Sequence, residues 1–479
     1  MTTPLLRRTK IVATIGPASR SPEIIRQLIR AGMNVARLNF SHGSYDDHAQ
    51  SIAALRAISK ELDTPVTLLQ DLQGPKVRVG AMPEGKILLI PDALVTLIPE
   101  EDYTGQPATI PLDYPHAHEE AKPGTQILLA DGLYEMVVVE VDQAKRSLLC
   151  RVVEGGTLQS RKGVNFPALK LRLPSLTEKD KEDLVFGLSQ HVDWISLSFV
   201  RSAEDLRLLK AILKEHGATQ SIIAKIEKPQ AIENLEEILD ESDGIMVARG
   251  DLGVEISPEK VPMLQKRIIE SCNRRGLPVI TATQMLESMI NDPRPTRAET
   301  SDVANAIIDG TDAVMLSGET AAGAFPVRAV EMMHRIAVEV EAGIDFKSYP
   351  TLRRGDADAL AEGANVIARS IEPHSIVVLT TSGHTARAVA AERSRTPVIA
   401  VTGNERVYHA LNLFWGIKPL LELPSPGAPS DSFDDLVRDA EKALRRRSLA
   451  PSGSRILILG GVPSNTPRGA NFVKIHTLP

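Results

Sequence analysis

A lysine and a glutamate close one short apolar segment of this 479-residue chain. Residues 221–227 read Ser-Ile-Ile-Ala-Lys-Ile-Glu, and side chains two positions apart in a strand point to the same face. Lys225 and Glu227 should therefore lie side by side, which is costly unless they meet a partner, a metal or a substrate. Asp251 follows the next apolar run. Together the three residues predict a divalent-metal site beside an ammonium group, suited to an anionic, oxygen-rich substrate.

The elements that position these residues alternate between short β-branched runs and amphipathic helical patterns, which indicates βα units around a parallel sheet. In the first unit, a strand ends at Thr14, Ser21 caps a helix that Pro22 opens, and Gly32 ends it. Strand candidates lie at 11–14, 34–38, 66–70, 194–199, 222–227, 245–248, 278–283 and 313–317. Eight such strands predict an α/β fold of the (β/α)8 barrel type.

Polar side chains follow most of these strands. Active sites of this fold gather at the carboxyl ends of the strands, so one shared functional site is expected there, with some of the residues serving as helix caps or supports. The residues are Arg37, Asn39, Ser41, His42, Asp71, Lys225, Glu227, Arg249, Asp251, Thr283, Gln284, Ser317 and Glu319.

The pattern changes between the third and fourth barrel strands, from Gly74-Pro75 to Pro174-Ser175. Apolar runs separated by Gly, Pro and Asp predict antiparallel strands there, at 86–90, 93–98, 126–130, 136–141 and 147–153. We therefore predict a catalytic barrel formed by 1–74 and 175–345, with 75–174 inserted as a β-barrel lid. A domain that leaves from a βα loop should lie over the catalytic face and exclude water.

A third region, 346–479, alternates apolar strands at 376–380, 397–401 and 455–459 with helical patterns, which predicts a smaller α/β domain. Its loop 380–385 joins a strand to a helix start. The hydroxyls and free amides of this loop suit a phosphate, and they equally suit an ordinary Ser/Thr N-cap. The chain contains neither GxxxxGK[S/T] nor GxGxxG, so a P-loop or Rossmann turn is excluded.

Composition narrows the class of partner. The net charge is −6 with 4% aromatic residues, which argues against a nucleic-acid surface. Cys150 and Cys272 have no metal-ligand spacing and are expected to be reduced and buried. Because no apolar run approaches membrane-spanning length, we expect a cytoplasmic protein without a membrane partner.

Several segments together resemble the pyruvate kinases. They read Thr-Lys-Ile-Val-Ala-Thr-Ile-Gly-Pro-Ala-Ser at 9–19, Met-Asn-Val-Ala-Arg-Leu-Asn-Phe-Ser-His-Gly at 33–43, Lys-Gly-Val-Asn-Phe-Pro at 162–167, Ala-Lys-Ile-Glu at 224–227, Met-Val-Ala-Arg-Gly-Asp-Leu-Gly-Val-Glu at 246–255 and Ala-Thr-Gln-Met-Leu-Glu-Ser-Met at 282–289. The resemblance implies a barrel with a β lid and an α/β effector domain. It also implies phosphoryl transfer from phosphoenolpyruvate to ADP, the last step of glycolysis, by a homotetramer.

The resemblance also implies roles for the substrate side. Glu227 and Asp251 would hold Mg²⁺ or Mn²⁺ through hard oxygen ligands. Lys225 would neutralise charge on the transferring phosphoryl group and on the enolate. Arg37 would contact phosphate, and Gly250 with Asp251 would offer backbone amides to the substrate carboxylate.

Further roles follow from the same resemblance. Thr283 would bind substrate and, with Ser317, belong to the proton path that turns enolpyruvate into pyruvate. ADP or ATP would contact residues of the barrel and of the lid: Asn39, His42, Arg78 and Lys162. A phosphorylated effector would bind the loop formed by Thr380, Thr381, Ser382, Gly383, His384 and Thr385, although His384 departs from the basic residue that some members place there.

One departure concerns potassium. Many members bind K⁺ through oxygens like those of Asn39, Ser41 and Asp71 and through a threonine of an Asp-Thr-Lys-Gly-Pro-Glu segment. Residues 71–76 read Asp-Leu-Gln-Gly-Pro-Lys here. Leu72 lacks the hydroxyl and Lys76 supplies a cation, as in the potassium-independent members. We therefore expect that K⁺ is not required and that Lys76 acts in catalysis, the alternative being a solvated lysine at the lid hinge.

Two other function classes stay open. One is another metal-dependent barrel enzyme that stabilises an enolate of phosphoenolpyruvate or pyruvate without a nucleotide; Lys162 and the residues after the second strand argue against it. The other is a binding protein with a degenerate barrel, which the presence of Lys225, both acids and Thr283 disfavours. Individually, Arg37 and Arg78 could be solvated, Ser317 could cap a helix, and His42 could be structural.

Overall fold

The computed structural model describes residues 7–167, 169, 171–346, 349, 352, 355–422, 433–461 and 469–479. Its strands are β1 (Lys10–Ile15), β2 (Val35–Asn39), β3 (Thr67–Asp71), β4 (Lys86–Leu89), β5 (Leu94–Pro99), β6 (Thr109–Leu112), β7 (Gln126–Leu129), β8 (Tyr134–Asp142), β9 (Ser147–Glu154), β10 (Gly156–Gln159), β11 (Val164–Asn165), β12 (Trp194–Leu197), β13 (Ser221–Ile226), β14 (Gly244–Ala248), β15 (Val279–Ala282), β16 (Ala313–Leu316), β17 (Ser375–Leu379), β18 (Val398–Thr402), β19 (Ile417–Leu421), β20 (Arg455–Gly460) and β21 (Phe472–Thr477).

The helices are α1 (Pro22–Ala31), α2 (Tyr45–Glu61), α3 (Ala117–Glu120), α4 (Glu178–Ser189), α5 (Ala203–Glu215), α6 (Pro229–Glu233), α7 (Leu235–Glu241), α8 (Arg249–Glu255), α9 (Val261–Arg275), α10 (Arg297–Asp309), α11 (Gly318–Ala321), α12 (Pro326–Gly343), α13 (Asp356–Ile371), α14 (His384–Ala391), α15 (Glu405–Ala410) and α16 (Phe433–Arg446). Short 3₁₀ turns occupy Glu100–Asp102, Pro258–Lys260, Glu287–Ile290 and Leu411–Leu413.

The predicted barrel is confirmed. Eight parallel strands close in the order β1-β16-β15-β14-β13-β12-β3-β2. Local capping agrees with the sequence, since the Ser21 side chain accepts from the Ile24 amide and Gly32 ends α1 at φ 114°, a conformation that glycine adopts without strain. The strand predicted over 194–199 ends at Leu197, because the chain turns sharply at Phe199, where φ is 55°.

The lid is a mixed half-barrel over one apolar core. Six strands run in the order β11-β7-β8-β9-β5-β6, and β10 pairs with β4 in a separate ribbon. The predicted lid strands pair with one another in antiparallel fashion, as β5 with β9, β7 with β8 and β8 with β9. The parallel pair is that of β5 with β6, a strand that the sequence did not reveal. The sequence did not reveal β10 and β11 either. All three have four residues or fewer and are too short to show alternation; β6 also contains a proline, which weakens a strand signal.

The C-terminal region is the predicted α/β domain, a sheet in the order β19-β18-β17-β20-β21. The sequence did not reveal β19, which contains Pro419, or β21, an antiparallel edge strand with polar residues at alternate positions. Apolar residues of this domain pack in one cluster with the barrel interior, Trp194 meeting Phe414 at a centroid distance of 5.9 Å.

Both cysteines are free and buried, as expected. None of the helices in the described ranges combines the length and the apolar character needed to cross a membrane. The proposed domain limits at 74/75, 174/175 and 345/346 stay a prediction.

Candidate active site

A cavity of about 590 Å³ lies between the carboxyl ends of the barrel strands and the lid. It brings together residues that sequence analysis selected from distant segments: Arg37, Asn39, His42, Lys76, Arg78, Lys162, Lys225, Glu227 and Asp251. A second cavity of about 630 Å³ adjoins it, shares Lys76 and Asp251, and takes in Gly250 and Thr283. The two cavities meet at Asp251, so the selected residues from the barrel and the lid face one connected region.

Lys225 is the last residue but one of β13, and its buried ammonium group has three oxygen neighbours. Its Nζ lies 3.0 Å from Glu227 Oε1 and 3.4 Å from Asp71 Oδ1, and it donates to Ser198 Oγ at 2.7 Å. Burial alone would lower the pKa of Lys225, but the two carboxylates outweigh it and raise the pKa above its usual range. The side chain is therefore a fixed positive charge at the floor of the cavity.

Asp71 joins Lys225 to Arg37. The Arg37 Nε donates to Asp71 Oδ2 at 2.7 Å, and Ser196 Oγ donates to Oδ1 at 2.6 Å. Burial raises the pKa of Asp71, but the neighbouring Lys225 and Arg37 cations overcome it and lower the pKa. Asp71 is thus a permanent carboxylate that orients two cations toward the cavity, a role that spacing alone did not reveal.

Glu227 has one carboxylate oxygen whose hydrogen bonding is incomplete. Its Oε2 accepts from the Phe199 amide at 2.6 Å. Its Oε1 lies within ion-pair distance of Lys225 but is buried and accepts no hydrogen bond. Burial and the negative charge of Asp251 raise the pKa of Glu227 against the opposing effect of Lys225. A buried carboxylate oxygen with incomplete hydrogen bonding is costly. A second cation beside Lys225 would complete the surroundings of Oε1 and relieve the repulsion between Glu227 and Asp251.

The donor set fits a hard divalent cation. Carboxylate oxygens of Glu227 and Asp251 suit Mg²⁺ or Mn²⁺. Within the described residues, no cluster of three or more His, Cys, Asp or Glu side chains is arranged for a metal. The remaining positions would therefore fall to substrate oxygens and water, as is usual for Mg²⁺ at phosphate-bearing substrates.

Lys76 connects the lid to Asp251. Its Nζ lies 3.2 Å from Asp251 Oδ1 and 3.2 Å from Asp131 Oδ1 on the lid. Burial lowers the pKa of Lys76, but both carboxylates more than compensate and raise it. Gly163 makes room for this side chain, since a Cβ there would lie 2.8 Å from Lys76 Cε. Lys76 is therefore held inside the site and is not a freely solvated hinge residue.

Several non-glycine residues beside the site have a positive φ, among them Phe199 and Thr283. Phe199 and Thr283 have φ values of 55° and 76°, which for non-glycine residues costs roughly 1–3 kcal/mol each. Thr283 packs so closely on Gly250 that a Cβ there would lie 2.7 Å from its Cγ2. Arg249 pairs with Asp302 at 2.7 Å and donates to the Thr283 carbonyl at 2.8 Å, which holds this conformation.

Three other residues selected from the sequence, His42, Arg78 and Ser317, make contacts of their own outside the Lys225 cluster. On the nucleotide side, the His42 carbonyl is 3.0 Å from His48 Nε2, and Arg78 donates to the Arg161 carbonyl at 3.2 Å. Ser317 lies outside the lining of both cavities, at the N-cap of α11, where its amide donates to Glu319 Oε2 at 2.7 Å.

The 380–385 loop joins β17 to α14 in the C-terminal domain. The Gly383 amide donates to Thr380 Oγ1 at 2.9 Å, and Gly383 itself is the N-cap of α14 with φ 83°. The loop therefore lies at a helix amino terminus, as both of its interpretations require.

A closed parallel barrel whose strand ends unite a lysine, an acidic pair and a basic lid defines a class: barrel enzymes that act on anionic, oxygen-rich substrates. The chain belongs to the pyruvate kinase family. Residues 6–330 match the family description "Pyruvate kinase, barrel domain", and residues 358–476 match "Pyruvate kinase, alpha/beta domain". Family membership makes the chain a phosphotransferase.

Full-length relatives agree with this assignment. The chain is 47% identical to "Pyruvate kinase 2" of Synechocystis sp., with 100% of this chain and 80% of that protein covered. It is 44% identical to the "Pyruvate kinase" of Sporosarcina psychrophila, covering 99% of this chain and 81% of the relative. The identity is also 44% with the "Pyruvate kinase" of Staphylococcus aureus, covering 98% and 80%.

Proposed function

We propose that this chain transfers the phosphoryl group of phosphoenolpyruvate to ADP in the cavity under the lid, giving pyruvate and ATP in the cytoplasm. The observation that carries the proposal is the ion pair of the Lys225 ammonium with the buried Glu227 Oε1 at the floor of a cavity roofed by lid cations. Such a site matches the charge of both substrates.

The residues of the chain would share the chemistry as follows. Lys225 stabilises negative charge on the transferring phosphoryl group and on the enolate that it leaves, which is the dominant demand of phosphoryl transfer. Arg37, oriented by Asp71, contacts the phosphate. Amides at Gly250 and Asp251 receive the substrate carboxylate.

Glu227 and Asp251 would hold Mg²⁺ or Mn²⁺, which supplies Lewis-acid charge at substrate oxygens when bound. Thr283 contacts the substrate, and we place it with Ser317 on the path of the proton that converts the enolate to pyruvate. The nucleotide side is formed by Asn39, His42, Arg78 and Lys162. Because Arg78 and Lys162 belong to the lid, the position of the lid would decide whether the nucleotide site is complete.

A coupled assay tests this function. Pyruvate should form from phosphoenolpyruvate only when ADP and a divalent cation are both present. Conversion of phosphoenolpyruvate or pyruvate without a nucleotide would instead favour the other enolate-stabilising class, and binding without turnover would favour a degenerate barrel.

Potassium independence is proposed from Lys76. Its ammonium, held between Asp251 and Asp131, supplies a positive charge near the substrate phosphate that a bound K⁺ would otherwise provide. Activity should persist in tetramethylammonium buffer free of K⁺, and Lys76→Glu should lose activity or become salt-dependent. The exposed lid residue Lys86 offers the matched control Lys86→Glu. Strict K⁺ dependence of the unmodified enzyme would contradict the proposal.

The C-terminal loop is proposed as a phosphate-binding effector site in a homotetramer. Its support is the helix amino terminus at His384 together with hydroxyls at Thr380, Thr381 and Ser382. A sugar phosphate or nucleoside monophosphate should lower the KM for phosphoenolpyruvate through coupling between the two sites. Equal responses of the unmodified enzyme and of Thr381→Ala and Ser382→Ala variants would refute this site.

A further inference from the structure

The short helix α8 carries two acids that both contact groups outside the helix. Asp251 lies in its first turn and meets Lys76. Glu255 is its last residue, and the Glu255 side chain is only 1% exposed. Its Oε1 accepts from Asn165 Nδ2 at 2.6 Å and from Lys228 Nζ at 2.5 Å. A carboxylate this deeply buried is tolerated only when such partners are in place.

The two partners of Glu255 come from the lid and from the barrel, and both line a third cavity of about 290 Å³. Asn165 ends the lid strand β11, three residues after Lys162. Lys228 belongs to the barrel and directly follows Glu227. The amide of Asn165 must face Glu255 through its NH₂ group, because its carbonyl would bring two acceptors together. The contact therefore forms only when this part of the lid is seated on the barrel.

The lid meets α8 at both ends of the helix. At one end, Lys76 joins Asp131 of the lid to Asp251. At the other end, Asn165 meets Glu255. Between them, the lid residue Gly132 approaches Val254, with a Cβ built on Gly132 lying 3.8 Å from Val254 Cγ2.

Lys228 links Glu255 to the surroundings of Glu227, the other candidate metal ligand. The buried carboxylate of Glu255 contacts the lid through Asn165 and the barrel through Lys228. Lys228 in turn lies over the ring of Phe199, with its Nζ 5.6 Å from the ring centroid, and the Phe199 amide holds Glu227.

We propose that Glu255 is a positioning residue that couples seating of the lid to the placement of Asp251 opposite Glu227. The inference rests on the proposed function, since it assigns Glu255 to the same reaction. With the lid seated, Asn165 and Lys228 fix the end of α8, and this fixes the helix that carries Asp251. Without the Asn165 side chain, the end of α8 loses its contact with the lid. The position of Asp251 on α8 is then no longer fixed relative to Lys162 on the lid.

Two variants separate this role from a general structural one. Asn165→Ala removes the lid side of the contact and leaves the barrel pair of Glu255 with Lys228 intact, whereas Glu255→Gln removes the charge. Both should weaken Mn²⁺ binding to the substrate-free enzyme by about tenfold, as expected for loss of a group that orients a ligand. The matched control is Glu259→Gln, which changes an exposed acid four residues further along the chain.

Three readouts test the coupling. Paramagnetic resonance measures free Mn²⁺ without any turnover. Amide hydrogen exchange should quicken over 249–255 when the change is made in the lid at Asn165. In steady-state kinetics, kcat should fall by about tenfold, and the KM values for ADP and for phosphoenolpyruvate should both rise, because Lys162 and the α8 residues Gly250 and Asp251 lose their fixed positions. The double variant should lose no more than Glu255→Gln alone.

Unchanged Mn²⁺ affinity and unchanged exchange over 249–255 in Asn165→Ala would overturn the proposal, and so would additive losses in the double variant. If Glu255→Gln does not fold, Asn165→Ala still decides the question. Failure of the proposed function would look different, because the unmodified enzyme would then form no pyruvate while the Mn²⁺ and exchange measurements could still be made.

Discussion

The two ends of the barrel both bury charged side chains, but they treat the carboxylates differently. At the amino end, Asp312 is fully satisfied: Oδ1 accepts from the Trp415 amide at 3.2 Å, and Oδ2 accepts from the Val279 amide at 3.0 Å and from Arg393 at 2.9 Å. At the carboxyl end, the buried Oε1 of Glu227 accepts no well-aligned hydrogen bond, has the Lys225 ammonium 3.0 Å away and lies beside a cavity.

A second acid at the amino end repeats the pattern. Glu341 accepts from the backbone amides of Arg8 and Thr9, each at 2.7 Å. The unpaired atoms of Arg393 there are donors, and its guanidinium lies 4.9 Å from the centroid of the Trp415 ring, which is a favourable cation–π distance. Burial of charge therefore does not mark a reactive site by itself. The carboxyl end differs because a carboxylate oxygen with incomplete hydrogen bonding, Glu227 Oε1, lies beside a cavity. Active sites of this fold lie at that end of the barrel.

The largest effect is expected from Lys225→Met at the carboxyl end. Removing a charge aimed at the transition state should lower kcat by about 10³-fold or more, while the circular dichroism spectrum keeps its folded shape. Lys214→Met, at an exposed lysine, is the control and should leave kcat unchanged. A folded Lys225→Met enzyme with near-normal turnover would contradict the assignment of the reaction to the charged residues at the carboxyl end.

Asp312→Asn should show the opposite behaviour. It breaks a buried pair with Arg393, which typically costs about 3–5 kcal/mol of the free energy of unfolding, and kcat per folded molecule should stay close to normal. Denaturant unfolding and active-site titration measure the two quantities, with the exposed Asp292→Asn as control. Loss of turnover at full stability would show that the amino end also takes part in the reaction.

Lys10 adds a pH-dependent test at the amino end. Its Nζ is buried against the Ile417 carbonyl at 2.6 Å, and burial, reinforced by Arg7 and opposed by Glu341 and Asp312, lowers its pKa to about 7. Between about pH 7 and pH 10, the unfolded chain holds a proton that the folded chain has released. The free energy of unfolding should therefore rise with pH by up to about 1.4 kcal/mol per unit.

The comparison variant is Lys10→Met, which has no such proton to release. Its difference from the unmodified enzyme should shift in favour of the unmodified enzyme as the pH rises through this window. Below about pH 7 the difference in free energy of unfolding should become constant, because both the folded and the unfolded chain then keep the proton on Lys10. A constant difference from pH 7 to pH 10 would contradict the buried setting of Lys10.

Sequence periodicity predicted most of the barrel because its strands are short, largely apolar and buried, as in β1, β14 and β16, and because caps such as Ser21 and Gly32 mark the helix ends. The strand-end rule then selected Lys225 and Glu227. Local patterns placed Lys225 beside Glu227. They could not show the other partners, Asp71, Ser198 and Phe199, since those contacts join segments that lie far apart in the chain.

Asp131 and Asn165 make contacts that the sequence pattern could not reveal. Asp131 meets Lys76 across 55 positions, and Asn165 meets Glu255 across 90. No periodicity reports contacts of that length. The one local signal was the spacing of Asp251 and Glu255, four positions apart and thus on one face of a helix, which could have suggested that the second acid supports the first. The conformations of Phe199 and Thr283 were likewise invisible, because tertiary packing imposes them.

Mn²⁺ binding to the substrate-free enzyme measures whether Glu227 and Asp251 form a metal site at the carboxyl end of the barrel. We expect one paramagnetic site per chain, weakened by at least about tenfold in Glu227→Gln and Asp251→Asn and unchanged in Asp312→Asn once all the protein is folded. Equal Mn²⁺ affinity in the unmodified enzyme and all three variants would show that these two carboxylates do not bind the metal.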